Sequence, residues 1–165
     1  MINEELREQI LRNLEGNSRI NLHDLAVMLN IKEADLYNEI SQMEKDKIIC
    51  GYTTLINWDN TSKEIVTALI EVKVTPKREL GFDELAGRIS KFPEVTSCYL
   101  MSGGFDLMVM IEGKSMKEVS RFVFNKLSTL DSILSTSTHF VLKKYKDHGI
   151  SLVEEEKDDR MVISA

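Results

Sequence analysis

The sequence predicts an α+β protein in two parts, a small three-helix head followed by a βαββαβ unit. Three observations carry that prediction. Apolar residues recur at helical spacing three times before residue 45, the period shortens to two from Ile48 onward, and beyond residue 60 the two periods alternate as strand, helix, strand, strand, helix, strand.

In the head, Asn3 is placed to cap a first helix, with Glu4 and Glu5 at the positive end of its dipole. Leu6, Ile10, Leu11 and Leu14 form one apolar stripe, and Gly16 ends it. Asn21 caps a second helix with Asp24 three residues on, and Leu22, Leu25, Ala26 and Leu29 line its inner face. Asn30 suits the left-handed backbone of a helix end, with Ile31 plugging the turn. Leu36, Ile40 and Met43 give a third helix the i, i+4, i+7 pattern. Helices two and three are only a few residues apart, the spacing of a helix-turn-helix. A three-helix cap that binds nothing has the same periodicity.

From Ile48 to Leu55 the residues favour a strand, and Asn57 to Ser62 read as linker. The boundary is therefore expected near residue 60, with a head of residues 1–60 and a second domain of residues 61–165. Val66, Ala68, Ile70, Val72 and Val74 share one face of a strand, and Pro76 and Gly81 bracket a turn. Phe82, Leu85, Ala86 and Ile89 build a helix that ends before Pro93. Val95–Met101 and Phe105–Glu112 are strands joined through Gly103-Gly104, a hairpin signal. Met116, Val119, Phe122 and Val123 mark a second helix, and Ile133–Tyr145 a long closing strand. This is the ferredoxin-like arrangement, with helices on one sheet face. The other face is partly apolar, so sheet-to-sheet dimerisation is expected, with the Tyr52–Asn57 strand contributing. Ile150–Val153 and Met161–Ile163 are expected to form an extra hairpin around an acidic turn.

Composition narrows the function classes. The 165 residues are 42% hydrophobic and 29% charged, as in a soluble globular protein. No apolar run approaches the roughly 20 residues of a membrane helix, and Met1 to Glu5 lack a signal-peptide pattern. Cys50 and Cys98 have no CxxC spacing, so buried inert thiols in a reducing cytoplasm are expected. His23, His139 and His148 show no metal-ligand spacing, and no nucleophile, phosphate or dinucleotide motif is present. The expectation is no cofactor, no metal, no catalytic residue and no membrane partner. Of the net charge of −6, residues 1–60 hold −5, from six Lys or Arg against eleven Asp or Glu. A DNA-binding head usually has the opposite asymmetry.

Ser102-Gly103-Gly104-Phe105-Asp106 is the segment most suited to ligand chemistry. A glycine turn exposes N–H groups to a carboxylate, and an aspartate can accept from an ammonium. The same Asp106 can instead be a structural cap of the hairpin.

The layout resembles the Lrp/AsnC family (leucine-responsive and feast/famine regulators) over nearly the whole chain. The matching landmarks are Asp24-Leu25-Ala26 with Leu29 and Ile31, then Ile49-Cys50-Gly51-Tyr52, then Ser102 to Asp106, with Thr136, Thr138, Val141 and Leu142 on the closing strand. The resemblance implies a DNA-binding helix-turn-helix transcription regulator with an amino-acid-sensing ferredoxin-like domain. It implies dimers that assemble into tetramers or octamers, and effectors held between dimers near the glycine-aspartate loop. Candidate DNA contacts are Arg19, Asn21, Lys32, Tyr37, Asn38, Ser41, Gln42 and Lys45. Asn38 and Gln42 have the groups to read adenine edges, and Arg19, Lys32 and Lys45 to hold phosphates. Candidate effector contacts are Ser102, Gly103, Gly104, Phe105 and Asp106, with Thr136 and Thr138 supplying hydroxyls from a neighbouring dimer. Three departures stand out. Lys32 replaces the usual Ser or Thr cap of the recognition helix, Lys47 replaces a usual Gly, and Glu39, Ser41 and Gln42 stand where arginines are common. Glu33, Asp35 and Glu39 are expected to face phosphates if the helix docks in the usual way. Two rival readings are a sensor or assembly protein whose acidic head contacts another protein, and a siroheme decarboxylase of the same architecture, which would need clustered histidine and arginine.

Overall fold

Capping chemistry sets the ends of the three head helices. The computed structural model describes residues 3–75 and 81–153. Helix α1 (Glu4–Gly16) starts where Asn3 Oδ1 accepts the Leu6 N–H at 2.9 Å. Helix α2 (Leu22–Met28) starts where Asn21 Oδ1 accepts the His23 N–H at 2.8 Å. Helix α3 (Glu33–Lys45) follows Lys32, whose side chain makes no cap bond. The C-terminal ends of α2 and α3 repeat one motif. Asn30 (φ 53°) and Lys47 (φ 60°) are left-handed, and the next N–H, of Ile31 or Ile48, reaches back to Ala26 O at 3.0 Å or Met43 O at 2.9 Å. Lys47 thus holds a backbone shape that glycine adopts without strain. Ile10, Leu14, Leu25, Ala26, Leu36, Ile40 and Met43 are buried together, with Leu6, Leu22, Leu29, Ile31 and Ile49 packed on them.

The expected strand from Ile48 to Leu55 does not form in the chain. Ile49 packs on the head core instead, and the Tyr52 hydroxyl donates to Glu44 Oε1 at 2.8 Å. A strand exists only when a neighbour supplies N–H and C=O partners, and no described segment does so here. Cys50 is exposed rather than buried, its thiol donating to the Lys47 carbonyl at 3.1 Å. Cys98 is half-buried, and burial pushes its thiol pKa up.

The chain divides into two compact units, Met1–Leu55 and Ile56–Ala165. The linker residues Asn57 to Ser62 belong to the second unit, where Trp58–Asn60 form one tight turn capped by Asn57.

The second unit is built on β1 (Val66–Val74), α4 (Phe82–Ile89), β2 (Val95–Leu100), β3 (Leu107–Gly113), α5 (Met116–Phe122) and β4 (Ile133–Phe140). The strands form one antiparallel sheet in the order β2-β3-β1-β4, the ferredoxin-like topology. Because side chains alternate, the register produces rows across the sheet. Leu100–Leu107–Val72–Thr136 and Cys98–Val109–Ile70–Thr138 lie on the helix-covered face. Ser97–Met110–Leu69–His139 and Tyr99–Met108–Glu71–Ser137 lie on the open face. Leu85, Ile89, Val119, Phe122 and Leu127 close the core over the first set.

Four boundaries differ from expectation. The closing strand stops at Phe140 rather than Tyr145; Phe140 pairs with Ala68 and the Val141 N–H makes a last bond to Thr67 O at 2.9 Å. Gly103-Gly104 is no two-residue turn. The strands stop at Leu100 and Leu107, so β3 starts after Phe105 rather than at it, and neither glycine has positive φ. After Phe122, α5 widens into a π turn, Val123–Leu127, in which the Ser128 N–H reaches Val123 O at 2.9 Å. The tail hairpin pairs β5 (Lys146–Asp147) with β6 (Ile150–Ser151) through left-handed His148 (φ 44°) and Gly149 (φ 80°). Pro76, and the expected strand Met161–Ile163, lie outside the described residues.

Candidate functional site

The exposed surface of α3 and the turn before it carry most of the DNA candidates. Tyr37, Asn38, Gln42, Lys45 and Lys32 are exposed, Ser41 is half-buried, and Arg19 and Asn21 are exposed ahead of α2. Asn21 already uses its carbonyl oxygen as the α2 cap, leaving its amide N–H₂ to donate. Gln42 Nε2 donates to Asp46 Oδ1 at 2.8 Å one turn on, so base reading through that amide requires breaking a local bond. Lys32 and Asn38 line one shallow cleft beside Leu6, Ile31, Asp35 and Glu39.

Two of the acidic side chains expected to face phosphates are engaged within the head. Glu39 is mostly buried and accepts from Arg7 Nε of α1, and His23 Nδ1 lies 3.1 Å from Glu33 Oε2. Asp35 alone of the three has no such partner among the described residues. The acidic head therefore presents less free carboxylate along α3 than its composition suggests. Glu39 acts as a tie between α1 and α3, a pairing 32 residues apart that helical periodicity does not reveal.

The loop between β2 and β3 holds five of the effector candidates. Its neck is closed by the Met101 N–H donating to Asp106 O at 2.8 Å. The N–H groups of Ser102, Gly103, Gly104 and Phe105 have no acceptor among the described residues. Ser102, Gly103 and Gly104 are exposed, and a Cβ at either glycine would meet nothing within 4 Å. The glycines therefore leave the loop's backbone open to a neighbour; no contact among the described residues requires them.

Asp106 is tied to β1 twice. Its N–H donates to Val72 O at 3.0 Å, and its Oδ2 accepts the Val74 N–H at 2.8 Å, beside the register shift at Lys73/Val74. β3 begins only at Leu107, opposite Val72, so the Val74 N–H has no strand partner on that edge, and the carboxylate satisfies it. Oδ1 has no partner among the described residues. Thr136 and Thr138 sit opposite Val72 and Ile70 on β4. Asp106 bonds β1 from its other edge, so two strand spacings, about 9.5 Å, separate it from Thr136. One chain thus gathers Ser102 to Asp106 and Thr136 at one end of the sheet but does not join their polar groups. Thr138 lies one pair further in.

Comparison with known proteins decides the relationship. Residues 67–150 match the family model of the Lrp/AsnC ligand binding domain. An uncharacterized HTH-type transcriptional regulator of Bacillus subtilis, YugG, is 50% identical over 161 residues, covering 97% of each chain. The chain belongs to the Lrp/AsnC family. Other relatives include a proline dehydrogenase transcriptional activator of Rhodobacter capsulatus, 26% identical over 82% of this chain and 87% of the relative. Two solved structures share the fold. A Neisseria meningitidis regulator in complex with L-Met has a TM-score of 0.70 at 23% identity, over 88% of this chain and 93% of its own. Escherichia coli AsnC has a TM-score of 0.65 at 22% identity, over 87% and 95%. The relatives with a named role are regulators of transcription, not enzymes. Among the described residues no helix is long and apolar enough to cross a membrane, and no group of His, Cys, Asp and Glu can hold a metal ion.

Proposed function

We propose that this Lrp/AsnC regulator acts in the cytoplasm as an oligomer that binds DNA through α3 and an amino acid through the Ser102–Asp106 loop. The observation that carries the effector reading is the loop's complement of groups: four N–H donors and one carboxylate oxygen without partners among the described residues. A zwitterion needs that pair, donors for its carboxylate and an anion for its ammonium. Thr136 and Thr138 add hydroxyls if a neighbouring dimer supplies them. The neighbour with L-Met gives an amino-acid ligand a precedent within this fold.

Oligomerisation draws support from the open sheet face, where Leu69, Met108, Met110 and half-exposed Tyr99 form an apolar centre that helices do not cover. A Tyr52–Asn57 segment with no strand partner among the described residues suits pairing with a second copy. On this reading the exposed Lys32, Lys45 and Arg19 hold phosphates, and the exposed Asn38 and Tyr37 reach base edges.

Calorimetry with an amino-acid panel tests the effector site through two variants. Asp106→Asn keeps an oxygen for the Val74 N–H and removes the charge; Asp106→Ala removes both. Asp106→Asn is expected to stay folded and lose about 1–3 kcal/mol of ligand affinity. Unchanged affinity in folded Asp106→Asn would assign the carboxylate to the Val74 bond alone.

A further inference from the structure

The C-terminal hairpin is tied to a segment 95 residues earlier in the chain. Asn57 Nδ2 donates to the Leu152 carbonyl at 2.9 Å in a half-buried setting, while Asn57 Oδ1 accepts the Asp59 N–H at 3.2 Å. An amide carries its donor and its acceptor on separate atoms of one short side chain, so Asn57 both caps the Trp58–Asn60 turn and holds the hairpin. The hairpin is a defined object. β5 pairs with β6 around His148 and Gly149, and the Leu152 N–H returns to Tyr145 O at 2.9 Å. At its root, Lys144 Nζ lies 4.0 Å from Glu112 of β3 and 3.7 Å from Asp147. On the linker side, Lys63 Nζ sits 4.7 Å over the Trp58 ring and braces the same turn.

We propose that residues 144–153 form a strap that fixes the root of the linker leaving the sensor unit, with Asn57 as its point of attachment. Glu112, Lys144, Asp147, the hairpin, Leu152 and Asn57 form one series of ion-pair and hydrogen-bond contacts. It begins on β3, the strand that directly follows the loop ending at Asp106. The linker therefore starts from a held position on the sensor unit instead of as free chain. A shift of β3 has a direct route to the segment that carries the head. The geometry stands whether or not the loop binds an amino acid.

NMR-detected solvent exchange on the full chain tests the strap with two substitutions. Asn57→Asp keeps the acceptor for the Asp59 N–H and loses the donor for Leu152 O. Lys144→Gln weakens the hairpin's root and changes nothing at the linker turn itself. In both, the Leu152 amide and the linker-turn amides of Asn60 and Thr61 are expected to exchange about fivefold faster, the effect of losing one ordinary hydrogen bond. Amides of β1 should keep wild-type rates. If Lys144→Gln speeds Leu152 but leaves Asn60 and Thr61 at wild-type rates, the hairpin does not hold the linker and the proposal fails. Wild-type exchange at Leu152 in Asn57→Asp also overturns it, because the amide bond then holds nothing.

Discussion

Lys47 and Lys32 each occupy a position whose backbone chemistry favours another residue. At φ 60°, Lys47 bears a Cβ in the left-handed region, where glycine is relieved of the clash. Lys47→Gly is expected to stabilise the head by about 1 kcal/mol, after allowing for glycine's freer unfolded chain. A lower denaturation midpoint for the variant by far-UV circular dichroism would show that the lysine is not strained. Lys32 stands at the start of α3 without a side-chain cap bond. Lys32→Ser supplies that cap and should add about 1 kcal/mol of stability. If Lys32 holds a phosphate, the same change lowers the salt slope of DNA binding by about 1. Higher stability with an unchanged salt slope would remove Lys32 from the DNA contacts. Glu39 is also revised at this scale. Because it pairs with Arg7, Glu39→Arg sets two guanidinium groups together and tests head stability before it tests phosphate repulsion.

Among elements, the π turn after α5 is the least expected and has a clear anchor. It brings Lys126 to Glu94, just ahead of β2, where the ammonium also lies 5.2 and 5.6 Å from the centres of Phe92 and Phe122. Those two rings meet edge to face at 5.5 Å. The hydrogen bond from Lys126 holds the Glu94 carboxyl below its ordinary value of 4.5, against the opposing effect of burial. A depressed folded-state value means stability that is present above the unfolded value and is lost as pH falls through the folded one. Glu94→Gln should therefore be less stable than wild type at neutral pH, by no more than about 1 kcal/mol for a partly exposed pair. The gap should close as pH drops below 4.5. Urea midpoints across that range check the sign; a gap that widens on acidification would contradict the pairing.

For the whole molecule, the open sheet face and the acidic head make separate demands. An apolar centre of Leu69, Met108 and Met110 on a face without helices calls for a cover. Light scattering is expected to show an assembly larger than the 18.9 kDa chain. Met110→Glu, which places a charge in that centre, should shift it toward monomer; a wild-type monomer at micromolar concentration would refute the interface. DNA affinity should fall with salt, with a slope that grows with the number of heads engaged, since each net-negative head offers only a few lysines and arginines to phosphates. Several weak heads in one assembly can still bind usefully through avidity.

The sequence alone determined the five α-helices and the main sheet's four strands among the described residues, their order and the side chains facing each core, because periodicity, caps and turn residues act within a few positions. Asn3, Asn21 and Asn30 cap or terminate helices as their chemistry dictates. The alternation from Val66 to Val74 correctly separated the covered face from the open one. Tertiary structure decided whatever depends on a distant partner. Ile48–Leu55 has strand residues but no strand beside it among the described residues, Glu39 meets Arg7 across 32 positions, and Asp106 answers an N–H of β1 that lies beyond the start of β3. The Asn57 bond to Leu152 spans 95 residues. No local period encodes such pairings, since each depends on how strands register and helices pack once the chain has closed on itself.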